Sequence, residues 1–146
     1  METHIRVSAI VIKGDSFLLL KRAQKDEFGK KTWTLPGGRV SFGEDLKDAI
    51  KREVKEETNL DVNVIKPIGT WSGVKNKLWA IGICFLCLHK KGKIKISEEH
   101  SDHLFLKFKD LKKAKIEKWI KDYAKTAEKE FYKEISQQNL FNISLE

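Results

Sequence analysis

GRVSFGEDLKDAIKREVKEETNL, residues Gly38 to Leu60, decides how the rest of the chain is read. Leu46, Ala49, Ile50 and Val54 recur at the three-to-four spacing of a helix, so the segment predicts a helix running roughly from Glu44 to Thr58 with one apolar stripe. Glu53 and Glu57 fall inside that stripe and Glu56 on its flank. Three carboxylates at i, i+3 and i+4 repel by roughly 0.2 to 0.5 kcal/mol per pair even in water. Partial burial raises the cost and pushes their pKa values up. A hard divalent cation such as Mg2+ or Mn2+ removes the conflict and keeps coordination positions open for water and phosphate oxygens. A solvated helix face is the plain alternative in a chain that is 34% charged. It leaves unexplained the glycine-rich approach, the isolated Glu44 and the placement of Arg52 four residues before Glu56.

The order Gly, five residues, Glu, seven residues, Arg-Glu-apolar-any-Glu-Glu-any-Gly-apolar resembles the box of the Nudix hydrolases of MutT type. It is matched here by Gly38, Glu44, Arg52, Glu53, Val54, Glu56, Glu57 and Leu60. One position departs: Asn59 stands where the family has its last glycine. That position is the expected C-terminal cap, where a left-handed backbone is usual, and asparagine tolerates it better than other non-glycine residues. Upstream, Trp33-Thr34-Leu35-Pro36-Gly37-Gly38 resembles the family's lead-in, with Pro36 and two glycines expected to turn the backbone. The resemblance is specific from about Trp33 to Leu60.

What the resemblance implies is a Nudix-type α/β/α sandwich, with a mixed β-sheet, the box helix and a long C-terminal helix. The implied chemistry is hydrolysis of a diphosphate linkage in a nucleotide, supported by Mg2+ or Mn2+. By the same resemblance Glu53, Glu56, Glu57 and the Gly37 carbonyl would be metal ligands. Arg52 would hold a carboxylate by a charge-assisted pair, and Glu44 would support the site from the start of the helix. Glu53 is the first candidate for the group that takes a proton from water, with Glu98, Glu99 or Asp102 of a later acidic loop as alternatives or as a further ligand.

Substrate contacts are expected from Lys21 and Arg22 at a strand end, from Gly38, Glu98 and Glu99, and from Trp71, with Trp33 and Trp79 as further aromatics able to stack on a base. Family members preferring ADP-ribose often carry a proline about sixteen residues beyond the box, and those acting on diadenosine polyphosphates a tyrosine slightly later. Asn76, Lys77 and Leu78 stand there instead. This points to a nucleoside triphosphate or an oxidised or non-standard deoxynucleotide. ADP-ribose or nucleotide-sugar hydrolysis, an RNA-end pyrophosphohydrolase and a binding module without turnover remain the alternatives.

The other segments frame this site. The 146 residues suit one domain, 1–146. Ile5 to Ile12, Gly14-Asp15 and Phe17 to Lys21 read as a hairpin, and Ala23 to Thr32, with Gly29, as a loop. Val62 to Trp71 and Leu78 to Leu88 read as strands joined by a loop with Gly73 and Asn76. Lys93 to Ile96 and His103 to Phe108 read as a short pair around the acidic Glu98-Glu99. Strands before and after a central helix, with a second helix at the end, predict a mixed sheet covered on both faces. Ile116, Trp119, Ile120, Tyr123, Ala127, Phe131 and Ile135 mark a long amphipathic helix that packs on the sheet or on a partner chain, leaving a homodimer open.

Cys84 and Cys87 lie three apart in a strand and point to opposite faces, so they read as buried apolar residues in a reducing compartment. Met1 to Arg6 carries no secretory pattern, and no apolar run reaches the roughly 20 residues of a membrane span, so the cytoplasm is expected and no membrane partner. About half of the net charge of +8 lies between Lys107 and Glu134, where ten lysines stand against six acids. Without a nucleic-acid-binding motif a solvated face is favoured over an RNA or DNA surface.

Overall fold

The structure is a computed structural model that describes residues 1–25 and 31–145, with the backbone alone for 139–145. The middle of the polar stretch after Ala23, including Gly29, lies outside the described residues. The described residues form strands β1 (Glu2–Lys13), β2 (Ser16–Arg22), β3 (Trp33–Thr34), β4 (Gly37–Arg39), β5 (Asp61–Lys75), β6 (Leu78–Lys91) and β7 (His100–Lys107). Helix α1 (Leu46–Thr58) follows β4, and a 3-10 turn (Phe108–Lys113) precedes helix α2 (Lys118–Leu145).

β1 is the axis of a mixed sheet. It runs parallel to β6 from Glu2–Leu78 to Ile12–Leu88, and β6 in turn is antiparallel to β5. On its other edge β1 meets β2 only at Ile12–Phe17 and Lys13–Ser16, then diverges from it. The wedge so opened is filled by the Trp33–Arg39 segment: β3 pairs with β2, β4 pairs with β1, and the Pro36 carbonyl accepts from Ala9 N–H at 3.0 Å. β7 lies along the outer edge of β2.

Residues of β1 alternate between two cores, as a strand buried on both sides must. Val7, Ala9 and Val11 pack with Ala49, Ile50 and Val54 of α1; Ile10 and Ile12 pack with Ile120, Ala124 and Ala127 of α2. A fully buried Val, Leu or Ile contributes about 1.5 to 3 kcal/mol, so each layer anchors its helix independently. Cys84 belongs to the α2 side and Cys87 to the α1 side; both are free and buried, which holds their thiols at about 11 and about 12. The ion pairs of Lys66 with Glu130 (2.6 Å) and Glu134 (3.4 Å) tie α2 to β5. No helix among the described residues is long and apolar enough to cross a membrane.

Several expectations need correction. α1 begins at Leu46, not Glu44, because Asp45 caps it by accepting from the N–H groups of Lys47 and Asp48. Lys93–Ile96 is no strand. This extended segment instead closes the end of α1, with Lys95 and Ser97 N–H donating to the Thr58 and Glu57 carbonyls at 2.9 and 3.0 Å. Gly73 lies inside β5, opposite Ala80; the hairpin turns at Asn76-Lys77 alone, both at positive φ. Trp119 and Ile135 of the supposed apolar stripe are 41% and 39% exposed. Gly37 and Gly38 are in extended backbone, so they are needed for close approach and not for turning.

Candidate active site

Helix α1 and Glu44 just ahead of it present four glutamates in two different settings. In the first, Arg52 is the hub. Its Nε donates to Glu44 Oε2 at 2.8 Å and its Nη2 to Glu44 Oε1 at 2.9 Å, a two-pronged pair; Nη1 reaches Glu53 Oε1 at 2.9 Å and Glu56 Oε2 at 3.3 Å. Nη2 also donates to the Arg39 carbonyl at 3.2 Å, tying the helix to β4. Arg52 and then the Ser41 N–H hold Glu44 down at about 2. Arg52 itself is pushed up, chiefly by Glu44. The repulsion expected along the helix is thus answered at these three carboxylates by a guanidinium.

Glu57 has no such partner. It is 4% exposed, and its Oε1 accepts from Gly37 N–H at 2.9 Å. Burial pushes its carboxyl up to about 8, with Glu53, Glu99 and Glu56 adding to the rise against the Gly37 bond. Burial also raises Glu53, with Arg52 opposing. The glycines make this packing feasible: a Cβ at Gly37 would lie 2.2 Å from the Val7 carbonyl oxygen, and one at Gly38 2.5 Å from the Glu53 carboxylate.

The turn ahead of β7 and that strand's first residue bring two further groups, Glu99 and His100. Donor atoms of Glu57, Glu99 and His100 lie within 4.8 Å of one another, with His100 Nε2 at 3.4 Å from Glu57 Oε2. Burial lowers the His100 pKa, which favours the neutral imidazole that a metal accepts. Buried carboxylate, exposed carboxylate and neutral imidazole fit a divalent cation, whose charge would relieve the elevated Glu57. Of the three box carboxylates considered as ligands, Glu57 falls in this group; Glu53 and Glu56 stand beside it, held by Arg52. The Asp102 carboxylate turns back to accept its neighbour's N–H, from His103, at 2.7 Å.

The group opens into a cleft of about 760 Å3 lined by Arg6, Arg22, Gly37, Gly38, Trp71, Trp119, Asp122 and Tyr123 among others. An adjoining cavity of about 670 Å3 includes Glu98, and the two share Arg22, Thr34, Glu99, His100 and Trp119. Arg22 sits where the β2–β7 register shifts, an irregularity of the kind that re-aims a side chain. Lys21 lies over the Trp33 ring at 5.6 Å and does not line the cleft; Trp79, on β6 opposite Val74, does not line it either.

Arg6, His100 and Asp122 carry no site signal of their own in the sequence, and Trp119 and Tyr123 read there as part of the apolar face of the last helix. The signal available for His100 was its position directly after Glu98-Glu99; Arg6 and α2 reach the cleft only through the sheet topology.

A family model described as NUDIX domain matches residues 2–129. The chain is 33% identical over 123 residues to an ADP-ribose pyrophosphatase of Methanocaldococcus jannaschii, covering 82% of this chain and 72% of that protein. It is 29% identical over 117 residues to nucleoside triphosphatase NudI of Escherichia fergusonii, covering 72% and 82% respectively. The crystal structure of a MutT protein from Methanosarcina mazei superposes with a TM-score of 0.73 at 25% identity, covering 88% of this chain and 94% of that one.

Proposed function

The chain belongs to the Nudix hydrolase family, and on that premise we propose that this nucleotide pyrophosphohydrolase cleaves a nucleoside triphosphate, standard or oxidised, to the monophosphate and pyrophosphate. The observation carrying this reading is the buried, cation-demanding Glu57 group at the floor of a cleft whose walls are aromatic and whose rim holds Arg6 and Arg22.

Each residue then has a task. Glu57, Glu99 and Glu56 would hold Mg2+ or Mn2+, which when bound neutralises phosphate charge and acidifies the attacking water. Glu53 accepts the proton from that water. Its carboxylate lies against Gly38 at the cleft edge, burial makes it the stronger base, and Arg52 fixes its direction. Arg52 and Glu44 are positioning residues. Arg22, between the two cavities, receives phosphate oxygens, and Trp71 and Trp119 offer faces for the base.

The adjoining cavity favours a second reading. A substrate with groups at both ends of its diphosphate, such as ADP-ribose, would place one end in each cavity, and the 33% identical relative bears that name. Release of phosphate, pyrophosphate and nucleoside monophosphate from nucleoside triphosphates, oxidised deoxynucleotides, ADP-ribose and nucleotide sugars, with and without Mg2+ or Mn2+, separates the two. Metal-dependent pyrophosphate release from a triphosphate is the expected result. Turnover confined to ADP-ribose overturns the first reading in favour of the second.

A further inference from the structure

We propose that His100 is a nitrogen ligand of the divalent ion, joining Glu57 and Glu99 in a mixed donor set that favours Mn2+ and Co2+ over Mg2+. The inference rests on the hydrolase reading above and adds which atoms of this chain hold the ion and which ion they select.

The imidazole is buried yet underused. Its side chain is 7% exposed beside Glu57 at 6%, and among the described residues Nδ1 has no hydrogen-bond partner. Nε2 stands 3.4 Å from Glu57 Oε2, long for a hydrogen bond. It is the right length for two ligands of one ion: donors bound at about 2.1 Å stand roughly 3.0 to 3.4 Å apart for bond angles of about 90° to 109°. A Glu99 oxygen lies within 4.8 Å of both, so one cation can reach all three with small rotations.

The backbone holds this arrangement in place. Ser97 N–H donates to the Glu57 carbonyl at 3.0 Å, His100 N–H to the Ser97 carbonyl at 3.2 Å, and Ala23 N–H to the Glu99 carbonyl at 3.0 Å. The loop is therefore fastened to α1 on one side and to the end of β2 on the other, and the ligands are preorganised. Imidazole is a poor partner for Mg2+, which prefers oxygen and keeps its waters, and a good one for the later divalent ions of the first row.

The test uses the full, untagged chain loaded with less than one equivalent of Mn2+ and examined by pulsed electron paramagnetic resonance. The expected result is modulation from a directly bonded 14N nucleus in the wild type, lost in His100→Gln. The ratio of Mn2+ to Mg2+ affinity should fall in that variant by about tenfold or more, the lower range for partners that tune metal ligands. Bound Mn2+ without nitrogen coupling in the wild type overturns the proposal whatever the variant does. So does an unchanged affinity ratio in both His100→Gln and His100→Asn. Hydrolysis followed in the same samples keeps the two readings apart. Turnover without nitrogen coupling sinks the ligand assignment alone, whereas nitrogen coupling without turnover supports it and counts against the hydrolase reading.

Discussion

Glu44, Glu53 and Glu56 surround one guanidinium on α1, while Glu57, on the same helix, faces a carboxylate and an imidazole. The residue type is identical, and the settings differ most between Glu44 and Glu57. Arg52 supplies the first group with a counter-charge from within the chain, and Glu44 is held at about 2, although burial still raises Glu53. The second group lacks a cation of its own, and Glu57 is pushed to about 8. A crowd of glutamates on a helix therefore says little by itself. What separates Glu44, the positioning residue, from Glu57 is whether the chain supplies the counter-charge.

The largest expected effect is on Glu57. Glu57→Gln keeps volume and removes charge, and metal-dependent turnover should fall by more than about a hundredfold while the fold is retained. Steady-state kinetics beside a circular-dichroism melt checks this, and near-normal turnover breaks the contrast.

The next effect is in pH. Without metal, folded Glu57 keeps its proton between its ordinary 4.5 and about 8 while the unfolded chain has lost it. Its contribution to stability is thus full below 4.5 and is lost as the pH rises through about 8. Glu44 acts with the opposite sign: its contribution is present above 4.5 and is lost as the pH falls through about 2. Urea titrations in a chelator should show both limbs. Mn2+ should flatten the alkaline one only, and loss of both limbs to Mn2+ would merge the two groups.

Arg52→Lys sharpens the comparison from the other side. One ammonium cannot reproduce the fork on Glu44 while also reaching Glu53, so the metal-free melting temperature should drop by a few degrees. An unchanged melt would show that the hub is dispensable.

The smallest effect is expected at the helix end, where Asn59 has φ 65° as a left-handed cap and its Nδ2 also donates to the Lys93 carbonyl at 3.1 Å. Asn59→Gly relieves the backbone and loses that bond. The two offset to within about 1 kcal/mol, measured by chemical denaturation.

Much of this was legible in the chain because it is local. The stripe Leu46-Ala49-Ile50-Val54, the Asn59 cap and the β1–β2 hairpin each follow from spacing within one segment. The opposite-facing Cys84 and Cys87 follow from the period of a strand. The misreadings share a cause. Lys93–Ile96 has the composition of a strand, but the N–H groups of Lys95 and the following Ser97 are claimed by the last carbonyls of α1, a tertiary demand with no local trace. Trp119 falls in helical register with the core and yet lines the cleft, because Gly37, Trp71 and α2 converge only after β1 pairs with β6. His100 is overshadowed in the sequence by the acids before it, since only burial makes a lone histidine different from an exposed one.

The aromatic wall of the cleft rests on missing atoms. The Trp71 indole lies across Gly82 on the neighbouring strand, where a Cβ would be 2.0 Å from Nε1, and the Tyr123 ring lies over Gly69, where a Cβ would be 2.4 Å from Cε1. A single methyl group at either glycine would lift a ring out of its seat without touching a carboxylate or an arginine. The breadth of the cleft is therefore set from beneath, on the sheet, and under the proposed function a change of substrate range can arise by one codon that alters none of the carboxylates or arginines of the site.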